Sequence, residues 1–351
     1  MPKVSVIIPV YNSEKFLEEA VQTVLDQTLS DIEIILINDK STDNSGNICD
    51  ALKRKDDRIH VQHLQENKGI CGARNVGLRM AQGEYIAFCD NDDHFVPDLL
   101  KDNYELAKKD NSEMVKFGRK LVDIDSAGNI LREKESPISE FYFFEGRKEL
   151  LENFFFIKST GVLTNVWNGL YKLSTIKDNN LWFDESMRYG SEDADFSFKF
   201  FKITKNISIN PTSYYIHYRR DAFSTSRKFS MNKITSMIKA AQTESEIWKE
   251  LDDTLENRTK IVLAKNNHVI NAYLIQVLHS DSSLSYNEKI DILKDMRNTD
   301  HLSYPYEKEI SKQIFVKKPK QWFFTLAYSK KKYRIIHGLL SLENKIKGEK
   351  W

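Results

Sequence analysis

Tyr85 to Asp93 has the sequence YIAFCDNDD, a short apolar run that ends in three carboxylates within four residues. Such a run is typical of a strand buried on both faces, as in a parallel sheet. The acidic residues follow where the strand leaves the core, which is where open α/β sheets bind their ligands. Carboxylates this close repel one another, and oxygen ligands favour Mg²⁺ or Mn²⁺ over zinc. We therefore expect a divalent cation here, the alternative being a solvated acidic turn.

The first 120 residues alternate between β-rich and helical patterns. Strands are predicted at residues 4–10, 32–37, 59–64, 85–89 and 114–117, with helical periodicity between them. Alternation of this kind indicates βαβ units and an α/β fold with a mostly parallel, doubly wound sheet. Beyond Gly118 the alternation weakens, with a predicted helix at 147–156 and a strand at 207–218. From Ser230 the apolar spacing predicts a helical C-terminal region.

Composition places the chain among globular proteins rather than membrane-spanning or secreted ones. Hydrophobic residues make up 40% and charged residues 29% of its 351 positions. We find no apolar run of the roughly 20 residues that a membrane span needs, and no secretory signal. Three cysteines, Cys49, Cys71 and Cys89, form no metal-type pair and favour a reducing cytoplasm.

Several common nucleotide-binding and hydrolase motifs are missing from the sequence. It has no Gly-x-Gly-x-x-Gly after the first strand, no P-loop and no Gly-x-Ser-x-Gly elbow. Polar residues instead follow successive strands, at Tyr11 and Asn12, Asp39, 67–74 and 90–93. In a parallel sheet these positions meet on one edge. An aromatic side chain there can stack on a base, a carboxylate can accept from a base N–H, and an arginine can bind phosphate.

Four segments together resemble family-2 glycosyltransferases. They are Val4–Asn12 (VSVIIPVYN), Asn38–Asp43 (NDKSTD), Asn67–Gly69 with Ala73–Asn75, and Asp90–Asp93 (DNDD). The resemblance covers about the first 220 residues in the family's order, and it implies a GT-A fold and transfer of sugar from a nucleotide donor with inversion. Two departures are visible, since Lys40 stands where Gly is common and Asn91 where Ser is common.

The resemblance implies a role for each of these positions. Residues 1–225 would form the GT-A catalytic domain, with a nucleotide-binding half at 1–120 and an acceptor-binding half at 121–225. Asp90 would contact the ribose or the metal, Asp92 would bind Mn²⁺ or Mg²⁺ directly, and Asp93 would lie one step further from the ion. The nucleotide-sugar would be held by Pro9, Tyr11, Asp39, Asn67, Arg74, Asp90, Asn91 and Asp92.

Gly190–Asp193 resembles the family's Glu-Asp motif at the start of a helix. Inversion by direct displacement needs one base for the acceptor hydroxyl, worth about 10²- to 10⁴-fold in rate. Asp193 would be that base, and Glu192 would bind an acceptor hydroxyl or orient the loop. The alternative is a helix cap with acidic residues in the first turn.

His217 to Arg220, followed by Ser224–Ser226, resembles the segment after the family's last core strand. His217 would complete the metal shell, or the two arginines would clamp the diphosphate; a packed strand histidine is the alternative. Trp167 and Asn168 would line the sugar or acceptor cleft, unless the aromatic belongs to the core.

The chain ends in a basic segment. Residues 313–351 hold 10 Lys and Arg and 2 Asp and Glu, a net +8, so the remaining residues carry −7 of the total +1. Basic residues beside aromatics and an amphipathic helix suit an anionic membrane surface. Self-association or a plain solvated face are the alternatives, and no nucleic-acid motif accompanies the charge.

The sequence thus predicts a metal-dependent inverting glycosyltransferase for a surface polysaccharide. We expect a UDP-sugar donor, a glycan acceptor carried on a lipid, and a cytoplasmic location, peripheral to the membrane. Residues 226–351 would form the helical region. A sugar-nucleotide nucleotidyltransferase and a catalytically silent scaffold of the same fold are the alternatives.

Overall fold

The computed structural model describes residues 1–125, 127–187, 189–220 and 229–347. The chain divides into two compact units: Met1–Arg188 with Glu192–Ser224, and Tyr189–Ser191 with Thr225–Trp351. The boundary predicted at residue 225, and the segment Ser224–Ser226 singled out in the sequence, lie outside the described residues.

The first unit is built on a sheet that has ten strands in the described residues, in the order β3-β2-β1-β4-β9-β6-β10-β5, with β7 on β6 and β8 on β10. The strands are β1 (Val4–Val10), β2 (Ile32–Asn38), β3 (Ile59–His63), β4 (Tyr85–Phe88), β5 (His94–Phe95), β6 (Met114–Ile124), β7 (Ile130–Glu135), β8 (Tyr142–Glu145), β9 (Gly169–Lys172) and β10 (Asn206–Arg220). The helices are α1 (Leu17–Leu25), α2 (Ser45–Lys55), α3 (Gly69–Met80), α4 (Leu99–Lys109), α5 (Gly146–Glu152), α6 (Phe154–Ser159), α7 (Leu173–Asp178) and α8 (Glu192–Ile203).

The N-terminal half of this sheet is parallel, as predicted. β1 pairs in parallel with β2 and β4, and β2 with β3. Every residue of β1, β2 and β4 is buried, because helices cover both faces of a parallel sheet. In the other half β9 runs antiparallel between β4 and β6, so the sheet is mixed.

The helix predicted at 147–156 is wrong as a single element, because it divides into α5 and α6 at Asn153. The side-chain amide of Asn153 donates to the carbonyl of Glu149 at 2.9 Å. Asparagine competes in this way with the backbone bonds that continue a helix.

The second unit is helical, as predicted for the C-terminal region. Its helices are α9 (Met231–Trp248), α10 (Leu255–Ala272), α11 (Tyr286–Asn298), α12 (Lys308–Lys317), α13 (Pro319–Ser329) and α14 (Tyr333–Lys347), and a π-helical turn at Tyr273–Val277 extends α10. Buried apolar side chains from all six helices form its core. In the parts of the chain that the structure describes, every helix is too short or too polar to cross a bilayer.

Candidate active site

The carboxyl ends of β1, β2 and β4 lie side by side on one edge of the sheet. The register pairs Val10 with Asn38 and Ile7 with Phe88. Tyr11 and Asp39 directly follow β1 and β2, and Asp90 is the second residue after β4, so the parallel topology places all three at this edge. The Tyr11 side chain is 49% exposed, which leaves its ring free to meet a ligand.

Asp39 organises the turn after β2. Its carboxylate accepts from the backbone N–H of Lys68 at 2.7 Å, and its carbonyl accepts from the Asn67 side chain at 3.1 Å. Asp39 and Asn67, two of the residues predicted to bind the nucleotide-sugar, are thus in direct contact. Lys40 has φ 58°, in the left-handed region that favours glycine, which explains why its position commonly holds Gly in the family that the sequence resembles.

Asn91 fixes the acidic turn to the first strand. Its side-chain amide donates to the carbonyl of Pro9 at 2.9 Å. Proline has no N–H, so its carbonyl is the backbone group it offers to a partner. The backbone of the Asp90–Asp93 turn is therefore held against the end of β1, where the candidate nucleotide residues lie.

Arg74 joins the two acidic segments of the site. It lies on α3, its side chain is 1% exposed, and its guanidinium packs over the rings of Phe88 and Phe183. Nη2 is 3.2 Å from Asp90 Oδ1, and Nη1 is 2.5 Å from Asp193 Oδ1 and 3.4 Å from Glu192 Oε1. Burial lowers the pKa of Arg74, but the three carboxylates outweigh it and raise the pKa. These ion pairs engage Nη1 and Nη2, and the nucleotide contact that the sequence predicted for Arg74 stays a prediction.

Glu192 and Asp193 are the first residues of α8, where a helix N-terminus favours negative charge. Asp193 Oδ2 also accepts from the backbone N–H of Val166 at 3.3 Å. Burial, with the adjacent charge of Asp193, raises the pKa of Glu192. The two neighbouring carboxyl groups therefore differ in environment, which is how acid and base roles are separated in active sites.

Asp92 lies at the exposed side of the acidic turn and pairs with Arg220 at 3.0 Å. Arg220 also covers the ring of Phe16, with 4.2 Å between guanidinium and ring centroid. Burial and the charge of Asp93 raise the pKa of Asp92 to about 6, although Arg220 opposes them. The neighbouring Arg219 is paired with Asp123, with Nε 2.6 Å from Oδ1.

Asp93 has a role that the sequence did not reveal. It is fully buried and accepts from Tyr215 Oη at 2.8 Å, from the backbone N–H of Tyr218 at 2.9 Å and from His217 Nδ1 at 2.8 Å. Burial lowers the pKa of His217, and the bond and charge of Asp93 outweigh it, so that the pKa is raised. Since Nδ1 is engaged, Nε2 is the ring nitrogen that remains for a ligand.

Trp167 and Asn168 are buried, at 5% and 1% exposure. Trp167 stacks on Tyr215 and His217, at centroid distances of 4.4 and 5.1 Å. Asn168 donates to the carbonyl of Phe117 at 3.0 Å. These contacts favour the alternative that the aromatic belongs to the core, where it holds His217 in place.

The donor atoms fit a hard divalent cation by their chemistry. Burial raises the pKa of Asp90 as well as that of Asp92, and a bound cation would offset the cost of both charges. Asp90, Asp92 and His217 Nε2 would hold such an ion. In the described residues, however, no three His, Cys, Asp or Glu side chains are arranged as a ready metal cluster.

Comparison with known proteins agrees with this geometry. Residues 5–166 match the family model described as "Glycosyl transferase family 2". The "Uncharacterized glycosyltransferase EpsJ" of Bacillus subtilis is 35% identical over 217 residues, 62% of this chain and 61% of that protein. The "Poly(ribitol-phosphate) beta-N-acetylglucosaminyltransferase TarP" of Staphylococcus aureus is 28% identical over 314 residues, 85% of this chain and 88% of that protein.

Solved structures show the same fold. The crystal structure of S. aureus TarS residues 1–349 in complex with UDP-GlcNAc aligns with a TM-score of 0.69, covering 99% of this chain and 92% of that one at 20% identity. The GT-A fold predicted from the sequence is thereby confirmed. The similarity to glycosyltransferase family 2 extends over residues 5–166, which lie in the first unit.

Proposed function

We propose that the chain transfers a sugar from a UDP-sugar to a hydroxyl of a phosphate-containing surface glycan, with inversion and with a divalent cation. The observation that carries the proposal is the position of Arg74, which bonds Asp90 on the donor side and Asp193 on the acceptor side. TarS, which shares the fold, was crystallised with UDP-GlcNAc, and TarP is described as acting on poly(ribitol-phosphate). Both support a UDP donor and an anionic acceptor; its attachment to a lipid remains part of the proposal.

The donor would lie along the edge formed by β1, β2 and β4. Tyr11 would stack on the base, and Asp39 would accept from it. When bound, the Mn²⁺ or Mg²⁺ ion at Asp92 and Asp90 would neutralise charge on the departing diphosphate. The Asn91–Pro9 bond keeps the acidic turn in register with the base-binding end of β1.

Asp193 would take the proton of the acceptor hydroxyl. As that proton moves to the carboxylate, the acceptor oxygen bonds to the anomeric carbon, and the bond from that carbon to the diphosphate oxygen breaks, releasing UDP. The raised pKa of Glu192 favours its neutral form, so Asp193 is the better base of the pair. Arg74 would orient the Asp193 carboxylate through their ion pair.

UDP release from UDP-GlcNAc and UDP-glucose, with and without Mn²⁺ and a ribitol-phosphate oligomer, tests the proposal. We expect Mn²⁺-dependent release that needs the oligomer, falling by about 10²- to 10⁴-fold in Asp193→Asn. Asp92→Asn should lose the Mn²⁺-dependent thermal stabilisation by UDP, and Asp57→Asn, an exposed carboxylate outside the site, should retain both properties. Pyrophosphate release from UTP and a sugar phosphate would indicate the nucleotidyltransferase instead, and absence of any nucleotide response would indicate the scaffold.

A further inference from the structure

A cavity of about 560 Å³ lies within the second unit, between the first half of α11 and the turn that joins α13 to α14. Four cationic side chains line it: Lys294, Lys331, Lys332 and Arg334. Lys294 is paired with Asp291 at 2.6 Å. For the other three, the described residues offer no ion-pair partner, so the cavity wall carries uncompensated positive charge.

Helix α14, which begins at this cavity, has two apolar rows. One row faces the core of the unit, where Ile336 and Leu340 are 0% and 3% exposed. The other is open to solvent and consists of Ile335, Leu339, Leu342 and Ile346, exposed by 48%, 38%, 57% and 75%. Their spacing of four, three and four residues places them on a single helix face. The core of the unit therefore leaves this face uncovered.

The charged cavity and the exposed row are continuous, since Ile335 belongs to both. We propose that together they form a docking site for an anionic phospholipid bilayer. Lipid phosphates would enter the cavity and pair with Lys331, Lys332 and Arg334, and the exposed row would lie against the acyl chains. A helix with basic and apolar groups side by side is the usual form of an interfacial membrane anchor.

Charge complementarity decides between this occupant and the others. A second copy docked by a two-fold axis would place the same cationic cluster against itself, or leave it outside the contact. A phosphate-bearing glycan would explain the cavity but would leave the apolar row exposed to water. An anionic bilayer supplies partners for both features. The inference does not depend on the proposed catalytic activity.

The test is co-sedimentation of the full chain with vesicles of phosphatidylcholine alone and of phosphatidylcholine mixed with phosphatidylglycerol. We expect binding to the mixed vesicles that weakens with salt. Lys331→Gln/Lys332→Gln/Arg334→Gln should weaken it roughly a hundredfold, since each cation contributes to attraction by anionic lipid. Leu342→Ser/Ile346→Ser should weaken it roughly tenfold. Lys53→Gln/Arg54→Gln/Lys101→Gln, with the same charge change on exposed sites of the first unit, should bind as the parent does.

Circular dichroism of each variant verifies that it is folded, and since the altered side chains are exposed we expect unchanged spectra. Equal binding to both vesicle types, or equal losses in the cavity variant and its charge-matched control, would overturn the proposal. Vesicle binding that is unchanged by the apolar substitutions, yet displaced by a ribitol-phosphate oligomer or inorganic phosphate, would also overturn it. That result would assign the cavity to a soluble anion. Self-association lost in Leu342→Ser/Ile346→Ser would assign the row to a second copy and would overturn it as well.

Discussion

Arg74 Nη1 lies 2.5 Å from Asp193 Oδ1, although 119 residues separate them in the sequence. The arginine lies on α3, and the carboxylate lies in the first turn of α8. A buried arginine with three carboxylates is costly to disturb, because removal of one partner leaves charges buried without compensation. Together with the Asp90 contact, this contact therefore sets the spacing between Asp90 and Asp193.

Arg74→Lys tests that role. Lysine keeps the charge but lacks the planar fork that reaches Asp90 and Asp193 at once. We expect kcat to fall on the order of a hundredfold, with a smaller change in KM for the donor, and stability to fall by about 1 to 3 kcal/mol. Arg79→Lys, on the same helix but exposed, is the control. An unchanged kcat in Arg74→Lys would show that Asp193 does not need this partner.

Tyr11 offers a direct test of base stacking. Its ring is half exposed at the end of β1, so its removal should cost the protein little stability. We expect Tyr11→Ala to weaken UDP binding by about 1 to 3 kcal/mol, as base–aromatic contacts generally do, and Tyr11→Phe to retain it. Calorimetric titration with UDP gives the result, with Tyr306→Ala, similarly exposed in the second unit, as control. Equal affinities in the Ala and Phe variants would place the base elsewhere.

The burial of Lys116 leads us to expect that the stability of the protein depends on pH. It is fully buried on β6, where its ammonium donates to the carbonyl of Asn165 at 2.6 Å and to Tyr171 Oη at 2.9 Å. Burial lowers the pKa of Lys116 well below its ordinary value, although Asp193 opposes this. Below about 10.4, the pKa of the unfolded lysine, the unfolded chain therefore binds more protons at this site than the folded chain. Stability should rise with pH between the folded-state pKa and about 10.4.

Lys116→Met should lose this rise of the unfolding free energy with pH, which is at most about 1.4 kcal/mol per pH unit. We also expect it to be more stable than the parent at neutral pH. Urea denaturation across that pH range measures the slope for each protein. Lys101→Met, at an exposed position of α4, should keep the parent slope. A parent slope that persists in Lys116→Met would mean that the buried amine is not the titrating group.

Two helical glycines should respond in opposite directions to alanine. A Cβ at Gly77 of α3 would collide with Cγ2 of Ile7 on β1, so Gly77→Ala should lower stability by about 1 to 3 kcal/mol. A Cβ at Gly338 of α14 would meet nothing, so Gly338→Ala should raise stability by about 0.5 to 1 kcal/mol through helix propensity. Thermal unfolding of both variants tests the pair; a stability gain in Gly77→Ala would contradict the packing of α3 on β1, and a loss in Gly338→Ala would contradict the open space at that glycine.

Local pattern was enough to predict the parallel half of the sheet. β1 spans the predicted residues, and β2, β3 and β4 differ from prediction by one residue at the C-terminal end. Buried parallel strands are continuous apolar runs, which a sequence shows directly. The antiparallel insertion of β9 between β4 and β6 was not predictable, because strand order depends on contacts distant in sequence.

The site residues also divide into those that local sequence pattern predicts and those whose roles depend on contacts distant in sequence. Residue type and strand-end position indicated Asp39 and Asp90, since carboxylates at such ends are visible in the sequence, whereas Asp193 was indicated by its resemblance to a Glu-Asp motif at the start of a helix. Two of the three carboxylate partners of Arg74, Glu192 and Asp193, and the role of Asp93 depend on segments more than 100 residues away. Tyr215 was missed because a tyrosine inside a strand gives no signal beyond β propensity. His217, two residues further along the same strand, was predicted as a candidate site residue and was the nearest signal in the sequence that this strand reaches the site.

The bonds of Asp93 also bear on the order in which the protein matures during synthesis. In the described part of the chain, the three donors to its carboxylate come from residues 215–218 on β10. A nascent chain of the first 120 residues contains every position predicted to bind the nucleotide-sugar, yet its acidic turn has a buried carboxylate with none of those hydrogen-bond donors. Domains generally fold as their chain emerges, but this turn must wait for nearly the whole first unit. Nucleotide binding should thus be acquired late and in a single step, rather than by an autonomous N-terminal half.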